Sequence, residues 1–282
     1  MKIFKRISVM LCIIIVIILV VLSVNERLNE RVVLTEYTFS HEEVPESFEG
    51  YKIMLISDLH EAPFAEQIIE HIYDQKPDII AITGDMVQLP GCTVDETLKI
   101  GRAVKDIPIY AVSGNHDTQC GAYYEVMNAL VDEGIIPLEN DSVCIEKGEE
   151  SILLLGIKDP RHDAVSAEQY EKIRNRIESE FPIGPCFSVL LSHRADMYPE
   201  IKDTKVDLIL SGHLHGGIIR LPFVGGIIGK NGKNSLLPAY EYGVVKEGDS
   251  ATMIVSGGCD KNPKKKRYFN PPEVVLVTLE GE

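Results

Sequence analysis

The 282-residue sequence contains no CxxC pair, no internal repeat and no low-complexity tract. These absences set aside a regular disulfide framework, a repeat architecture and a disordered polar chain. Cations are scarce as well: 28 Lys and Arg stand against 43 Asp and Glu, a formal charge of −15. Three of the cations (Lys2, Lys5, Arg6) fall in the first six residues, which leaves −18 on everything that follows. A surface that acidic repels the phosphate backbone that dominates nucleic-acid affinity, so no long nucleic acid is expected as a partner. Six cysteines are present, at 12, 92, 120, 144, 186 and 259. Cys12 lies in an apolar run and the other five cannot all pair internally, so buried or free thiols are the first reading. A disulfide has a place only if the domain lies outside the cytoplasm, and no pair is assigned.

What is present is ordinary for a globular protein: 45% hydrophobic and 25% charged residues, enough chain for one large α/β domain or two small ones. The exception is Ile7–Val24, 18 residues without a charge. As a helix it rises about 27 Å, close to the ~30 Å hydrocarbon core of a bilayer. Asn25, Glu26 and Arg27 follow with no small-residue cleavage site, and Leu11 before Cys12 is wrong for a lipoprotein. The pattern is that of an uncleaved signal anchor with its basic flank in the cytoplasm and the body of the chain extracytoplasmic. A cleaved signal sequence shares most of these features. The expected division is therefore 1–24, basic flank and transmembrane anchor; 25–50, a polar stalk or linker; and 51–282, the globular domain. Val32–Phe39 reads equally as a strand or as an amphipathic piece lying on the membrane.

From residue 51 the pattern alternates. Short apolar runs at 51–57, 78–83 and 107–113 read as strands, separated by helical stretches ending near Tyr73, over Val94–Lys105 and over Ala122–Asp132. The second half holds strands before His193 and before Gly212, a helix near Ser166–Glu180, and β-like pieces at the C-terminus. Such an order predicts a parallel sheet with a second sheet packed on it. Five apolar strands each stop at polar residues: Asp58-Leu59-His60, Gly84-Asp85, Gly114-Asn115-His116-Asp117, Ser192-His193 and Gly212-His213-Leu214-His215. Ligands in open α/β sheets gather outside the carboxyl ends of strands, so these side chains are expected to share one crevice. On an extended segment i and i+2 point the same way, which would let Asp58 with His60, and His213 with His215, serve one centre. Imidazole with carboxylate suits Zn, Fe or Mn better than Ca or Mg. His41, His71 and His162, outside this set, read as solvated surface residues.

The ordered set DxH, GD, GNHD, H, GHLH, together with ISDLH, GHLHGG and RYFNPPEVVLVTL, resembles the calcineurin-like metallophosphoesterase superfamily, in particular its membrane-associated bacterial branch. The resemblance covers 51 to about 279. It implies a four-layer α/β/β/α sandwich with two divalent metal ions between the sheets. It also implies that Asp58, His60 and His215 hold one metal, that Asn115, His193 and His213 hold the other, and that Asp85 bridges them. His116 matches a catalytic histidine that is not a ligand, and Asp117 an acidic residue that orients it. Lys158 and Ile218 stand where the branch commonly has an acidic residue and a Gln, a departure that bears on substrate preference.

The expected function is hydrolysis of a phosphate mono- or diester, a lipid-linked or cell-envelope ester among the candidates, through a metal-bound hydroxide that attacks phosphorus directly. Two other readings stay open: a nucleotide-type pyrophosphatase or phosphodiesterase using the same metals, and a catalytically silent metal-binding scaffold. The run Lys264–Arg267 reads as a solvated loop or as a contact for a headgroup or substrate phosphate. Arg267, within the branch-like signature, is the candidate substrate-binding residue. The glycines at 216–217, 225–226 and 229 are expected to form a flexible rim.

Overall fold

The computed structural model describes residues 2–160, 166–221, 224–227, 239–261 and 266–282. His162, Gly229, Lys264 and Lys265 lie outside the described residues. In chain order the strands are β1 (Val33–His41), β2 (Lys52–Ile56), β3 (Ile79–Ile82), β4 (Ile109–Ala111), β5 (Ile135–Pro137), β6 (Asp141–Lys147), β7 (Glu150–Ile157), β8 (Ser188–Arg194), β9 (Leu208–Gly212), β10 (Arg220–Leu221), β11 (Gly225–Gly226), β12 (Gly243–Val245), β13 (Thr252–Val255) and β14 (Glu273–Gly281). The helices are α1 (Lys2–Leu28), α2 (Ala65–Gln75), α3 (Asp95–Ala103), α4 (Asn115–Gln119), α5 (Tyr123–Asp132), α6 (Ala167–Ser179) and α7 (Tyr198–Ile201). One six-stranded sheet runs β1-β14-β2-β3-β4-β5 and the other β12-β13-β9-β8-β7-β6.

The four layers follow from the alternation of side chains along apolar strands. In β2, Met54 and Ile56 face outward onto Ile68 and Ile72 of α2, Ile100 of α3 and Leu130 of α5. Ile53 and Leu55 face inward, where with Ile79 and Ala81 they meet Leu154, Val189, Leu191 and Leu210 of the second sheet. The far side of that sheet, Leu155, Leu190, Ile209 and Met253, is covered by Ile173 and Ile177 of α6 and Ile201 of α7. Strands buried on both faces have no polar side to show, which is why they read as continuous apolar runs. β2, β3 and β4 run parallel, as do β7, β8, β9 and β13, so their carboxyl ends open into the same interlayer crevice.

The segment expected to be a stalk is in part a structural strand. β1 pairs with β14 in parallel from Val33↔Glu273 to His41↔Gly281, at the edge of the first sheet. Phe39, Val44 and Phe48 are buried in the interlayer core, so most of 33–50 belongs to the globular body. This also decides between strand and membrane-hugging piece for Val32–Phe39. His71 departs from its surface reading too, since its Nε2 lies 3.0 Å from the Val32 carbonyl and ties α2 to β1. His41, half-buried, stacks on Phe39 with ring centroids 5.8 Å apart. Within the stretch expected to form a glycine rim, Gly225 and Gly226 make β11, which pairs antiparallel with β10.

α1 is long and apolar enough to cross a membrane: the most apolar 18-residue stretch within Phe4–Leu28 has a mean hydropathy of 3.5 and is not buried against the protein.

Cys92 and Cys120, 28 positions apart in sequence, form a disulfide with Cα atoms 5.7 Å apart. It joins the loop after β3 to the end of α4. A closed loop of that length stabilises by roughly 3–4 kcal/mol through the unfolded chain alone. Cys92→Ser/Cys120→Ser should therefore lose about 2–4 kcal/mol in denaturant unfolding. Unfolding midpoints that are identical with and without reductant for the unsubstituted chain would show that the bridge does not form.

Candidate metal centre

The residues at the strand ends converge, but by a different backbone route from the one their spacing suggests. Asp58 and His60 are not extended: their φ angles are 50° and 47°. Asp85, His213 and His215 also have positive φ, at 50°, 74° and 53°. Left-handed backbone at residues that carry a Cβ costs free energy and persists only where the surroundings impose it, typically at functional sites. Here five of the seven candidate ligands are held this way. Neighbouring glycines make it sterically feasible. A Cβ at Gly212 would lie 1.8 Å from Ser57 Oγ and 2.4 Å from Asp58 Oδ2. One at Gly114 would lie 2.3 Å from Asp85 Oδ1. The ligand-bearing turns thus touch one another where only hydrogen fits.

Two donor groups result. Asp58, His60, Asp85 and His215 offer ligand atoms within 4.8 Å of one another, and so do Asp85, His193 and His213. In the first, His215 Nε2 is 2.9 Å from Asp58 Oδ1 and 3.4 Å from His60 Nε2, and His60 Nε2 is 3.4 Å from Asp85 Oδ2. In the second, His193 Nε2 is 3.1 Å from His213 Nδ1, 3.3 Å from Asn115 Oδ1 and 3.4 Å from Asp85 Oδ1. Asp85 therefore turns one oxygen to each group. All seven residues are buried.

The other ring nitrogens are taken up by outer groups. His60 Nδ1 lies 3.1 Å from the Val87 carbonyl, His193 Nδ1 2.7 Å from the Thr83 carbonyl, and His215 Nδ1 2.8 Å from Asp260 Oδ1. Such contacts fix the tautomer and leave Nε2 facing the centre as a donor pair, an arrangement suited to a cation. The charges agree. Burial would lower the His193 pKa, but the Asp85 and Asp58 carboxylates outweigh it and raise it to about 9. Burial, reinforced by the Asp85 carboxylate, raises that of Asp117 to about 7. The raised value of His193 marks excess negative charge around its ring, a demand that divalent ions satisfy as well. Imidazole, amide and carboxylate together fit borderline divalent metals.

His116 stands apart from both donor groups. It is half-buried, its backbone N–H donates to Asp85 Oδ1 at 2.7 Å, and its ring centroid is 4.4 Å from that of His60. Asp117 holds backbone: its oxygens accept from Val87 N at 2.9 Å and Gly114 N at 2.8 Å. It thereby fixes the turn before α4 and the carbonyl that orients His60. Arg267 is buried rather than open to the crevice. It pairs with Asp260 through Nε at 2.7 Å and also through Nη2, which donates to the Gly257 carbonyl at 2.7 Å. Lys158 lies 3.8 Å from Glu139 and over the Tyr123 ring, and Ile218 is half-buried beside the Tyr268 backbone.

Asp260 was not among the expected site residues, although Ile254-Val255-Ser256-Gly257-Gly258-Cys259-Asp260 repeats the strand, glycine, carboxylate order of Ile82-Thr83-Gly84-Asp85. Burial would raise its pKa, but Arg267 and His215 hold it well below the usual carboxylate range. Asn270 is a further addition, donating to the carbonyls of His215 and Gly217 at 2.7 Å each. Removing the Asp260 carboxylate takes away the acceptor at His215 Nδ1. Asp260→Ala should weaken divalent-metal binding roughly 10- to 100-fold, as read by metal titration. Unchanged affinity would mean that His215 is oriented by something else.

Residues 51–217 match the family model described as calcineurin-like phosphoesterase. The chain is 30% identical over 269 residues to the uncharacterized metallophosphoesterase YkuE of Bacillus subtilis, covering 88% of this chain and 85% of that protein. It is 30% identical over 190 residues to the phosphodiesterase YaeI of Escherichia coli, covering 62% and 64% of the two chains. A Danio rerio protein named as a transmembrane protein with metallophosphoesterase domain is 27% identical over 234 residues, 75% of this chain and 50% of that one. With the family model matching more than half of its length, the chain belongs to the calcineurin-like phosphoesterases.

Proposed function

We propose that this protein is a membrane-anchored phosphohydrolase that uses two divalent metals to cleave a phosphate mono- or diester outside the cytoplasm. The observation that carries the reading is the pair of donor groups sharing Asp85. Asp58, His60 and His215 would hold one ion, and Asn115, His193 and His213 the other. When bound, two such ions activate water near neutral pH and neutralise the phosphoryl oxygens. Asp58 and Asp85 supply the negative charge that holds the ions, and the remaining ligands are neutral. The pocket therefore stays attractive to a phosphate ester despite the acidic surface.

His116, beside the centre and reachable from solvent, is the residue we assign to the leaving group. Its protonated ring donates to the oxygen released as the P–O bond breaks. Asp117 positions it through the backbone of the turn before α4. Cys259, also near the site, is no nucleophile: burial pushes its thiol far up, and it donates to the Glu273 carbonyl. Direct attack by water, with no phospho-enzyme, is the reaction that fits these residues. The Cys92–Cys120 disulfide supports an oxidising compartment, and the basic flank of α1 supports the same orientation.

The test is a panel of aryl monoesters, aryl diesters, nucleotide pyrophosphates and phospholipids, with the full chain in detergent loaded separately with Mn, Zn or Fe. Hydrolysis of an ester with release of one product alcohol is expected. Metal-loaded protein that cleaves none of them would turn the reading to a metal-binding scaffold.

A further inference from the structure

The C-terminal end of α1 is built into the domain. Asn25 is 3% exposed; its Nδ2 donates to the Arg267 carbonyl at 2.9 Å and its Oδ1 accepts from Phe269 N at 2.7 Å. Asn29 Nδ2 donates to the same Arg267 carbonyl at 2.8 Å. Glu26 pairs with Lys266, and Glu30 with Lys261. These contacts close one side of a cavity of about 850 Å³ between α1 and residues 260, 261 and 266–268. That volume lies in the range of small-molecule sites.

The lining is two-faced. Leu22 and Ser23 belong to the membrane-spanning stretch and form the lip on the bilayer side. Beyond the lip stand Arg27, one helical turn on from Ser23, and Lys261, Lys266 and Arg267 on the domain side. The three carboxylates on the wall each already face a cation: Glu26 meets Lys266, Glu30 meets Lys261 and Asp260 meets Arg267. Arg267 is 6% exposed, and its Nη1 is buried with no hydrogen-bond partner among the described residues. A buried guanidinium N–H left unmade is costly, and an anionic oxygen is its strongest partner. A free anion would satisfy Nη1 but has no use for the apolar lip. An amphiphile with an anionic head uses both.

We propose that this cavity binds the phosphate headgroup of an anionic membrane phospholipid. Arg267 Nη1 donates to a phosphate oxygen and the acyl chains run past Leu22 into the bilayer. The site goes beyond the hydrolytic reading, because none of its described lining residues is a metal ligand, and Asp260 on its wall contacts His215. It would seat the domain on the membrane surface with Lys261 and Lys266 towards the lipid.

The experiment uses the full chain in phosphatidylcholine nanodiscs doped with phosphatidylglycerol that carries a photoactivatable group near its headgroup. Adducts are mapped by mass spectrometry, and hydrolysis of a soluble aryl phosphodiester is followed in the same discs. Adducts concentrated on 22–30, 260–261 and 266–268 are expected. They should fall about tenfold in Arg267→Gln, for the loss of a charge-assisted bond, and in Ser23→Trp, which fills the cavity from the helix side. Adducts spread evenly along Ile7–Val21, or undiminished in Ser23→Trp, would overturn the proposal in favour of ordinary annular lipid. Displacement by inorganic phosphate as readily as by unlabelled phosphatidylglycerol would overturn it in favour of a free-anion site. Ester turnover without cavity adducts sinks the lipid site and leaves the hydrolase standing. Cavity adducts without turnover support the lipid site and count against the hydrolase.

Discussion

Asp85→Asn is expected to lower metal-dependent ester hydrolysis by roughly 1,000-fold or more, beyond the 10- to 100-fold typical when only an outer partner of a ligand is lost. The change is nearly isosteric and the site is fully buried, so packing is preserved and the effect is electrostatic. Asp85 Oδ1 is pinned by the His116 N–H at 2.7 Å, an acceptor role the amide oxygen can keep. The amide NH2 must then replace Oδ2, which lies 3.4 Å from His60 Nε2 in the group containing Asp58 and His215. A donor aimed at a cation is repulsive, so that group should lose its ion first. The asymmetry is what distinguishes the prediction: metal analysis should find the chain's metal content falling from two ions towards one, while the unfolding transition is kept. Two retained ions with undiminished turnover would remove Asp85 from the bridging position.

The arrangement of apolar strands ending in Asp, Asn and His was legible because burial on both faces leaves polar residues nowhere to go but the strand ends. The order of those ends, with Gly84, Gly114 and Gly212 beside them, points to one crevice. The local geometry was not legible. A period-two argument makes Asp58 and His60 neighbours on a strand, whereas left-handed turns bring them together, and such turns are imposed by contacts with Gly212 and Gly258 far away in sequence. β1 was ambiguous for a related reason: an edge strand is defined by its partner, and β14 lies some 240 residues on. Asp260 shows a third kind of omission. Its motif was visible, but a carboxylate becomes an orienting group only when a histidine nitrogen is 2.8 Å away. The same holds for Cys92 and Cys120, whose pairing depends on how the loop after β3 packs on α4.

His116→Ala should slow turnover by roughly 100- to 10,000-fold for an ester with a poor leaving group, the span usual for general acid catalysis, while leaving bound metal intact. Metal retention is expected because the donor groups close without His116, whose contribution to Asp85 is a backbone N–H that alanine keeps. The ring's own packing is modest, half-buried and edge-on to His60, so the cavity left behind should cost little stability. The informative variable is the leaving group. A nitrophenolate departs without being protonated, so the proton that His116 supplies matters little to it; an alkoxide departs only with one. The penalty of His116→Ala should therefore shrink to about tenfold or less for the nitrophenyl ester and reach its full size for the alkyl ester. A residue that merely shaped the pocket would lower both rates alike. Equal losses across the series would assign His116 a structural part, and a loss of one metal ion in the variant would make it a ligand. A penalty that grows with the basicity of the departing oxygen, at constant metal content, is the signature of a proton donor held beside the metals but not bound to them.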